Sequence, residues 1–295
     1  GNLKTVDFSK NKKLTTISEE LFEESSIEYI DIPPQITKIC QRAFSECENL
    51  KKITVLDDSK LKSIENCAFC TSSIETLNLP SDIVLDEEWC KLTPNLNNVL
   101  INQNGKNNCI NYHDKFILGK LNQKSNIYDV LVFSGRDIKE AFIPSFIKKI
   151  APYAFQNCEF LSRVEFEKNS QLEIIDKNSF SGAIIKTISI PRKVKKISHR
   201  SFFGCDRINS VLFENDSKLE IIDKSAFGNS SICSLVIPSS VIALANDVFG
   251  DCSNLNIVEI DENSKLTEIN LQAFVDSSLS IIMIPFNLKK IGLKF

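Results

Sequence analysis

Residues 150–166 read Ile150-Ala151-Pro152-Tyr153-Ala154-Phe155-Gln156-Asn157-Cys158-Glu159-Phe160-Leu161-Ser162-Arg163-Val164-Glu165-Phe166, and variants of this phrase return along most of the 295-residue chain. The aromatic at its centre recurs as Phe22, Phe44, Phe69, Phe155, Phe180, Phe202, Phe227, Phe249 and Phe274. The intervals are alternately 22 and 25 residues, with Trp89 standing for the aromatic in the long gap between 69 and 155. Self-similarity at such a period marks an array of small coils, each of which buries its apolar face only by stacking on its neighbours.

Two coil types alternate. One runs from the Phe through Cys158 into Leu161-x-x-Val164-x-Phe166; the other, as in Ile222–Phe227, has Ser230 in place of the Cys and runs into Ile232-x-x-Leu235-x-Ile237-Pro238. Apolar residues two apart share one face of an extended segment, so this stretch predicts a short parallel strand. Its centre recurs from Val6 through Ile30, Ile188 and Leu235 to Ile282, in steps of 22 to 24 with one step of 42, which makes about twelve coils. A second, shorter extended piece, such as Leu61-x-x-Ile64 or Leu172-x-x-Ile175, precedes the Phe motif and should pave the opposite wall. Polar turns such as Asn169-Ser170, Asp216-Ser217 and Asn263-Ser264 separate the two walls, and short polar side chains can bond the turning backbone there. Pro33, Pro80, Pro144, Pro191, Pro238 and Pro285 close alternate strands, since proline cannot donate to a ladder. The 42-residue step marks an interruption at about 102–140, where extended runs Cys109–Leu118 and Ile127–Phe133 flank Asn122–Asn126 and predict a projecting β-hairpin. A loop of this length inside an array is either functional or a tolerated insertion on one edge.

Residues 1–295 therefore read as a single repeat solenoid. The composition is that of an ordinary folded protein, 42% hydrophobic and 25% charged. The 35 basic and 38 acidic side chains nearly cancel to −3, and no basic stripe argues for nucleic acid as a partner. No stretch approaches the ~20 apolar residues of a membrane helix, so this segment is not expected to insert in a membrane. The start at Gly1 shows neither Met nor a signal-peptide core, which reads as a fragment of a longer protein and leaves the compartment open. Neither end shows an obvious polar cap, and Leu288-Lys289-Lys290-Ile291 begins a coil that stops at Phe295. Exposed coil ends of this kind can drive end-to-end self-association.

The phrases Ala43-Phe44-x-x-Cys47-x-x-Leu50, Ala154-Phe155-x-x-Cys158-x-x-Leu161 and Ile237-Pro238-Ser239-Ser240-Val241 resemble the BspA-like leucine-rich repeat family over residues 3–291. Alternating Asn-Ser-x-Leu and Ile-Pro coils are similar to versions expanded in anaerobic protists, where the parent proteins are largely cell-surface. The resemblance implies a leucine-rich repeat solenoid with a parallel β-sheet on one face, short strands and turns on the other and one inserted hairpin. It also implies binding to host extracellular matrix or other cells, with no catalysis and no cofactor. It transfers no site residues, because the motif positions are structural.

The residues themselves offer little chemistry. Cys47, Cys158, Cys205 and Cys252 stand three after the Phe, where a small side chain suits the inside of a coil. Cys158 and Cys205 are two coils apart, roughly 10 Å at the strand spacing, beyond disulfide reach. Cys40, Cys90 and Cys233 have no partner that the repeat brings close. Cys67-x-x-Cys70 has metal or redox spacing but straddles the core Phe69 and lacks a second pair for a metal. Cys109, His113 and Asp114 hold nucleophile, base and orienting types close in sequence, without an oxyanion loop. His199, the other histidine, occupies an ordinary variable position, and the Asn215 and Asn229 glycosylation triplets carry little weight in so Asn- and Ser-rich a chain.

A ligand is expected on the outward row of the main sheet or on the hairpin. The row passes from Asp7, Asp31, Thr54 and Asn78 to a more apolar set, Phe142, Leu212, Val236 and Met283, joined by Ile257 and Ile281. An exposed apolar patch of this kind marks an interface, although β-branched and large apolar residues also simply suit strands. On the hairpin, Tyr112, His113 and Tyr128 are the candidate contacts. The expected function is a non-catalytic scaffold, most naturally a cell-surface adhesion module for a protein or glycan. The alternative is an intracellular scaffold or regulator, favoured by the free thiols.

Overall fold

The computed structural model describes residues 2–8, 10–102, 108–113, 115–261, 263–270 and 272–292. Gly1, Asp114, Phe295 and residues 103–107 of the predicted interruption lie outside them. The chain divides into two compact units, Gly1–Asp137 and Ile138–Phe295. Each is a β-solenoid, and no helix occurs among the described residues.

In the second unit one wall holds four-residue strands, with Glu140–Ile143 parallel to Arg163–Phe166. Thr187–Ile190, Ser210–Phe213, Ser234–Ile237, Ile257–Ile260 and Ile281–Ile282 form a five-stranded sheet in chain order. Burial alternates along each strand, so that Ile188, Val211, Leu235 and Val258 point inward and Ser189, Leu212, Val236 and Glu259 point outward. The opposite wall is built from two-residue strands such as Lys149–Ile150, Ile174–Ile175 and Lys196–Ile197, whose second residue is buried. The first unit repeats both walls with Tyr29–Ile32, Lys52–Val55, Thr76–Pro80 and Asn98–Asn102 on one side. Thr16–Ile17, Lys38–Ile39, Ser63–Ile64 and Val84–Leu85 line the other. The strand predicted around Val6 does not form. Val6 and Phe8 instead lie with Ile32 and Pro33 along a groove, and the Phe8 ring meets Phe22 edge-on at 6.3 Å.

A third face carries the Phe motif, and its backbone conformation is not visible in the apolar pattern. The residues two before and two after the Phe have left-handed backbone: Tyr153 (φ 61°) and Asn157 (φ 54°) around Phe155, Asn178 (φ 52°) and Gly182 (φ 71°) around Phe180. Left-handed conformation costs most side chains about 1–2 kcal/mol and is easiest for Gly, Asn and Asp. Hydrogen bonds from coil to coil offset the cost: the Phe155 N–H donates to the Ser179 carbonyl at 2.7 Å, and Phe180 to Ser201 at 2.8 Å. The side chains between these turns point inward and stack. From Phe155 to Phe274 neighbouring rings lie 4.9–5.7 Å apart and within 10° of parallel.

Beside the stack, the small residue three after the Phe is polar for a reason. The thiols of Cys47, Cys205 and Cys252 donate to the carbonyls of Phe22, Phe180 and Phe227 in the preceding coil, at 2.9–3.1 Å. The expectation of a merely small apolar filler is therefore incomplete: the thiol adds a second hydrogen bond to carbonyls such as those of Phe22 and Phe180, which already accept from Ser25 and Ala183 N–H. Burial pushes the Cys205 thiol up to about 12. All ten cysteines are thiols.

In the first unit the stack runs Phe22, Phe44, Phe69 and then changes. Cys90, not Trp89, takes the backbone position of the recurring Phe: Thr93 Oγ donates to the Cys90 carbonyl at 2.7 Å, as Ser72 does to Phe69. Trp89 fills the interior from the preceding position and packs on Phe133 of the insertion at 5.5 Å. Buried Arg136 locks this arrangement, lying over the Phe133 ring at 4.8 Å and donating to the Cys90 carbonyl at 3.3 Å. The insertion itself has three antiparallel strands, Ile110–Tyr112, Phe116–Gly119 and Val130–Ser134. The run read as one strand, Cys109–Leu118, folds back on itself because His113 takes a left-handed turn (φ 49°) and the Lys115 N–H closes on the Tyr112 carbonyl at 3.2 Å.

Candidate binding surface

The outward row of the second unit is exposed but not uniform. The pairing of Ser210 with Ser234 sets Leu212 beside Val236, and these side chains keep 59% and 57% of their surface in solvent. Ile257 pairs with Ile281 two positions earlier on their strands, so it is reached from Val236 on the diagonal, a distance of ~7–8 Å between such positions. Val236 pairs directly with Glu259, and the Val258–Ile282 pairing brings Met283 beside that carboxylate. Leu212, Val236, Ile257, Ile281 and Met283 thus make a staircase interrupted by one acid. Phe142 stands apart from it. Two strands, Arg163–Phe166 and Thr187–Ile190, lie between it and Leu212, and the Arg163 guanidinium, 5.8 Å from its ring and bonded to Glu165 at 2.8 Å, covers part of it.

Leu212 and Val236 form the floor of a groove of ≈ 490 Å³. Its rim comes from the ends of the same strands and the turns after them, with Glu214, Asp216, Glu259 and Asp261 on it and no Lys or Arg among the described residues that line it. Alternation along the strands already places Glu259 in the outward row, but Glu214, Asp216 and Asp261 were not singled out from the sequence, where Asp216-Ser217 reads as turn chemistry. The signal lay in the strand-to-turn junctions, each of which ends a strand in Phe213-Glu214 or Ile260-Asp261. Asp216 sits there in left-handed backbone (φ 57°), and Asp261 caps the Asn263 N–H at 2.7 Å. A comparable groove of ≈ 530 Å³ in the first unit is bounded by Val6, Phe8, Ile32, Pro33 and Leu56.

The insertion residues do not converge. Tyr112 and His113 pack edge-on at 4.4 Å at the turn before Phe116, whereas Tyr128 lies beyond the other end of the same strand with Lys120 Nζ 4.7 Å from its ring. Cys109 is buried and its thiol is pushed up to about 11, unsuited to nucleophilic work at neutral pH. Its imagined partner Asp114 lies outside the described residues.

Stacked coils of 22 to 25 residues with a parallel sheet on one wall define a leucine-rich repeat solenoid. The chain belongs to the BspA type leucine-rich repeat family, whose model matches in six copies over residues 1–97, 120–209 and 173–295. Among solved structures it is similar to the pneumococcal vaccine antigen PcpA, at 21% identity and TM-score 0.79 over 96% of this chain and 74% of that one. It is also similar to a leucine-rich repeat protein from Eubacterium ventriosum, at 18% identity and TM-score 0.72 over 95% and 79% of the two chains. A leucine-rich cell surface protein from Faecalibacterium prausnitzii follows at 17% identity and TM-score 0.61 over 85% of this chain, which spans 62% of that protein's length. No curated protein matches.

Proposed function

We propose that this chain is a non-catalytic binding module of a cell-surface or secreted protein, and that it grips a protein ligand through the main wall of its second unit. The observation that carries this reading is the groove floored by Leu212 and Val236 and rimmed by four acids, with no base among the described residues that line it. Exposed apolar side chains of this kind gain when a partner removes them from water, about 25 cal/mol per Å². The rim selects a partner segment whose apolar side chains are flanked by Lys or Arg, because opposite potentials speed encounter and penalise wrong partners. Surface display is supported by family membership and by a similar protein described as a cell surface protein. Host extracellular matrix is one source of such a segment. Self-association through coil ends would leave the groove open.

The test replaces Leu212 and Val236 by Asp, singly and together, and measures binding to immobilised matrix proteins and to host cells alongside the unfolding curve. The expected result is unchanged folding with binding reduced about tenfold or more for the double variant, a loss of ~1.4 kcal/mol or greater. Undiminished binding by a folded double variant would remove this surface from consideration. Ten free thiols favour the second reading, an intracellular scaffold that uses the same groove. An N-terminal export signal in the full open reading frame would decide against it.

A further inference from the structure

The structure assigns a second, chemical capacity to the first unit: we infer that Cys67 and Cys70 form a dithiol that exchanges with disulfides, Cys67 attacking and Cys70 resolving. Cys67 stands two before Phe69 in left-handed backbone (φ 55°), and the Cys70 N–H donates to its carbonyl at 3.1 Å. That hydrogen bond closes a four-residue turn, which holds the two Cα atoms within ~7 Å, inside the range a disulfide spans.

The equivalent positions of other coils show that these two side chains meet. At Asp247 and Gly250 the same turn recurs, with φ 53° and an N–H to carbonyl distance of 3.0 Å, and a Cβ on Gly250 would lie 3.5 Å from the Asp247 Cβ. Disulfides have Cβ atoms roughly 3.5–4.5 Å apart. At Arg200 and Phe203 the guanidinium lies 4.8 Å from the ring centre. Only the Phe69 coil puts Cys at both places, so the repeat presents a dithiol in bonding geometry without moving the backbone.

The surroundings divide the roles. Cys70 is buried, whereas Cys67 is partly exposed. Glu88 of the next coil touches both, its carboxylate 3.6 Å from Cys67 Sγ and its carbonyl 4.0 Å from Cys70 Sγ, and Lys91 pairs with that carboxylate at 3.1 Å. The Cys70 hydrogen bond, helped by Lys91, holds the Cys67 thiol below its ordinary value against the opposing effects of burial and of the Glu88 carboxylate. Cys70 is pushed up by the same hydrogen bond and by burial. An accessible, more acidic sulfur attacks, and a protected one resolves.

The exchange balances. The Cys67 thiolate attacks R–S–S–R′, forming Cys67–S–S–R and releasing R′–S⁻, which takes up the proton that Cys67 lost. The Cys70 sulfur then attacks Cys67 Sγ, forming the Cys67–Cys70 disulfide and releasing R–S⁻, which leaves as R–SH with the Cys70 proton. The protein loses two electrons and the disulfide gains them.

To test this, the reduced full chain is incubated with glutathione disulfide at neutral pH, alkylated, and mapped by mass spectrometry. The peptide holding Cys67 and Cys70 should lose two hydrogens while Cys47, Cys205 and Cys252 remain thiols. Cys70→Ser should instead accumulate a glutathione adduct on Cys67, about tenfold faster than the adduct on exposed Cys233. Cys67→Ser should leave Cys70 unreacted. Circular dichroism of both variants should match that of the parent. If the parent peptide stays reduced, or folded Cys70→Ser captures glutathione on Cys67 no faster than on Cys233, the assignment fails. A variant that loses its fold leaves the decision to the parent peptide.

Discussion

The two walls of the second unit are made from the same coils and put them to different uses. On the narrow wall, outward positions are spent on ion pairs between adjacent coils: Lys149 with Asp176 at 2.7 Å, Lys196 with Asp223 at 3.5 Å. A lysine opens the strand in one coil and an acid follows the strand in the next, so the pairing keeps the two-coil period until Ala243 and Asn270 take the same positions. On the broad wall the outward residues follow no such rule, passing from Glu165 through Ser189 to Leu212, Val236, Glu259 and Met283. Where a repeat prescribes an outward residue, that residue serves the stack; where it leaves one free, the surface is available for a partner. The dithiol follows the same logic on the third face, at two positions that the repeat leaves variable.

The deepest cut would break both walls together. Phe202 stacks on Phe180 and Phe227 at 5.2 Å each and is fully buried. Phe202→Ala removes its contacts and leaves a cavity, and should lower unfolding free energy by about 3–5 kcal/mol. Denaturant titration of this variant, followed with a ligand-binding readout, should show the fold of the unit and its ligand binding failing at one midpoint. A groove that kept binding after the core had melted would show that the broad wall does not depend on the stack.

A smaller effect comes from pH. The Cys205 thiol is held neutral by burial, up to about 12 against an ordinary value of 9.0. Above pH 9 the unfolded chain releases this proton while the folded one keeps it, so stability is full below about 9 and falls as pH rises towards 12. At pH 10.5 the loss should be about 2 kcal/mol, and Cys205→Ala should lack that component. Parallel pH profiles for parent and variant would mean that the thiol ionises as readily in the folded protein.

Much of this was legible in the sequence because side-chain burial follows a short period. Ile188, Val211, Leu235 and Val258 were placed inward by alternation alone, and alternation also put Leu212 and Val236 outside. What stayed hidden depends on backbone conformation and on neighbours distant in sequence. Left-handed turns flank the Phe even where Arg200, Tyr153 or Cys67 occupies them, residues that carry no turn signal. Cys90 in the place of a Phe was masked because Trp89 beside it supplies the expected aromatic. The separation of Phe142 from the apolar staircase, and of Tyr128 from His113, needed strand order and register. The groove's acidic rim draws on separate turns that only the stacking of coils brings side by side.

The weakest expected effect is also the cleanest comparison of the walls. Lys149 and Asp176 are each about one-fifth exposed, at 22% and 21%, in an ion pair on the narrow wall. Pairs in contact with water contribute about 0–1 kcal/mol, since Coulomb attraction is screened and two long side chains must be ordered. Lys149→Ala should therefore shift stability by less than about 1 kcal/mol and, measured beside the Leu212→Asp and Val236→Asp variants, should leave ligand binding at the parent value. Salt should shrink even that small difference, because an accessible pair weakens as ionic strength rises. If Lys149→Ala reduced binding as strongly as the groove substitutions, the ion-pair ladder would be part of the ligand surface. The division of labour between the two walls would then fail, and the partner would have to be sought on the lysine-bearing side of the coils.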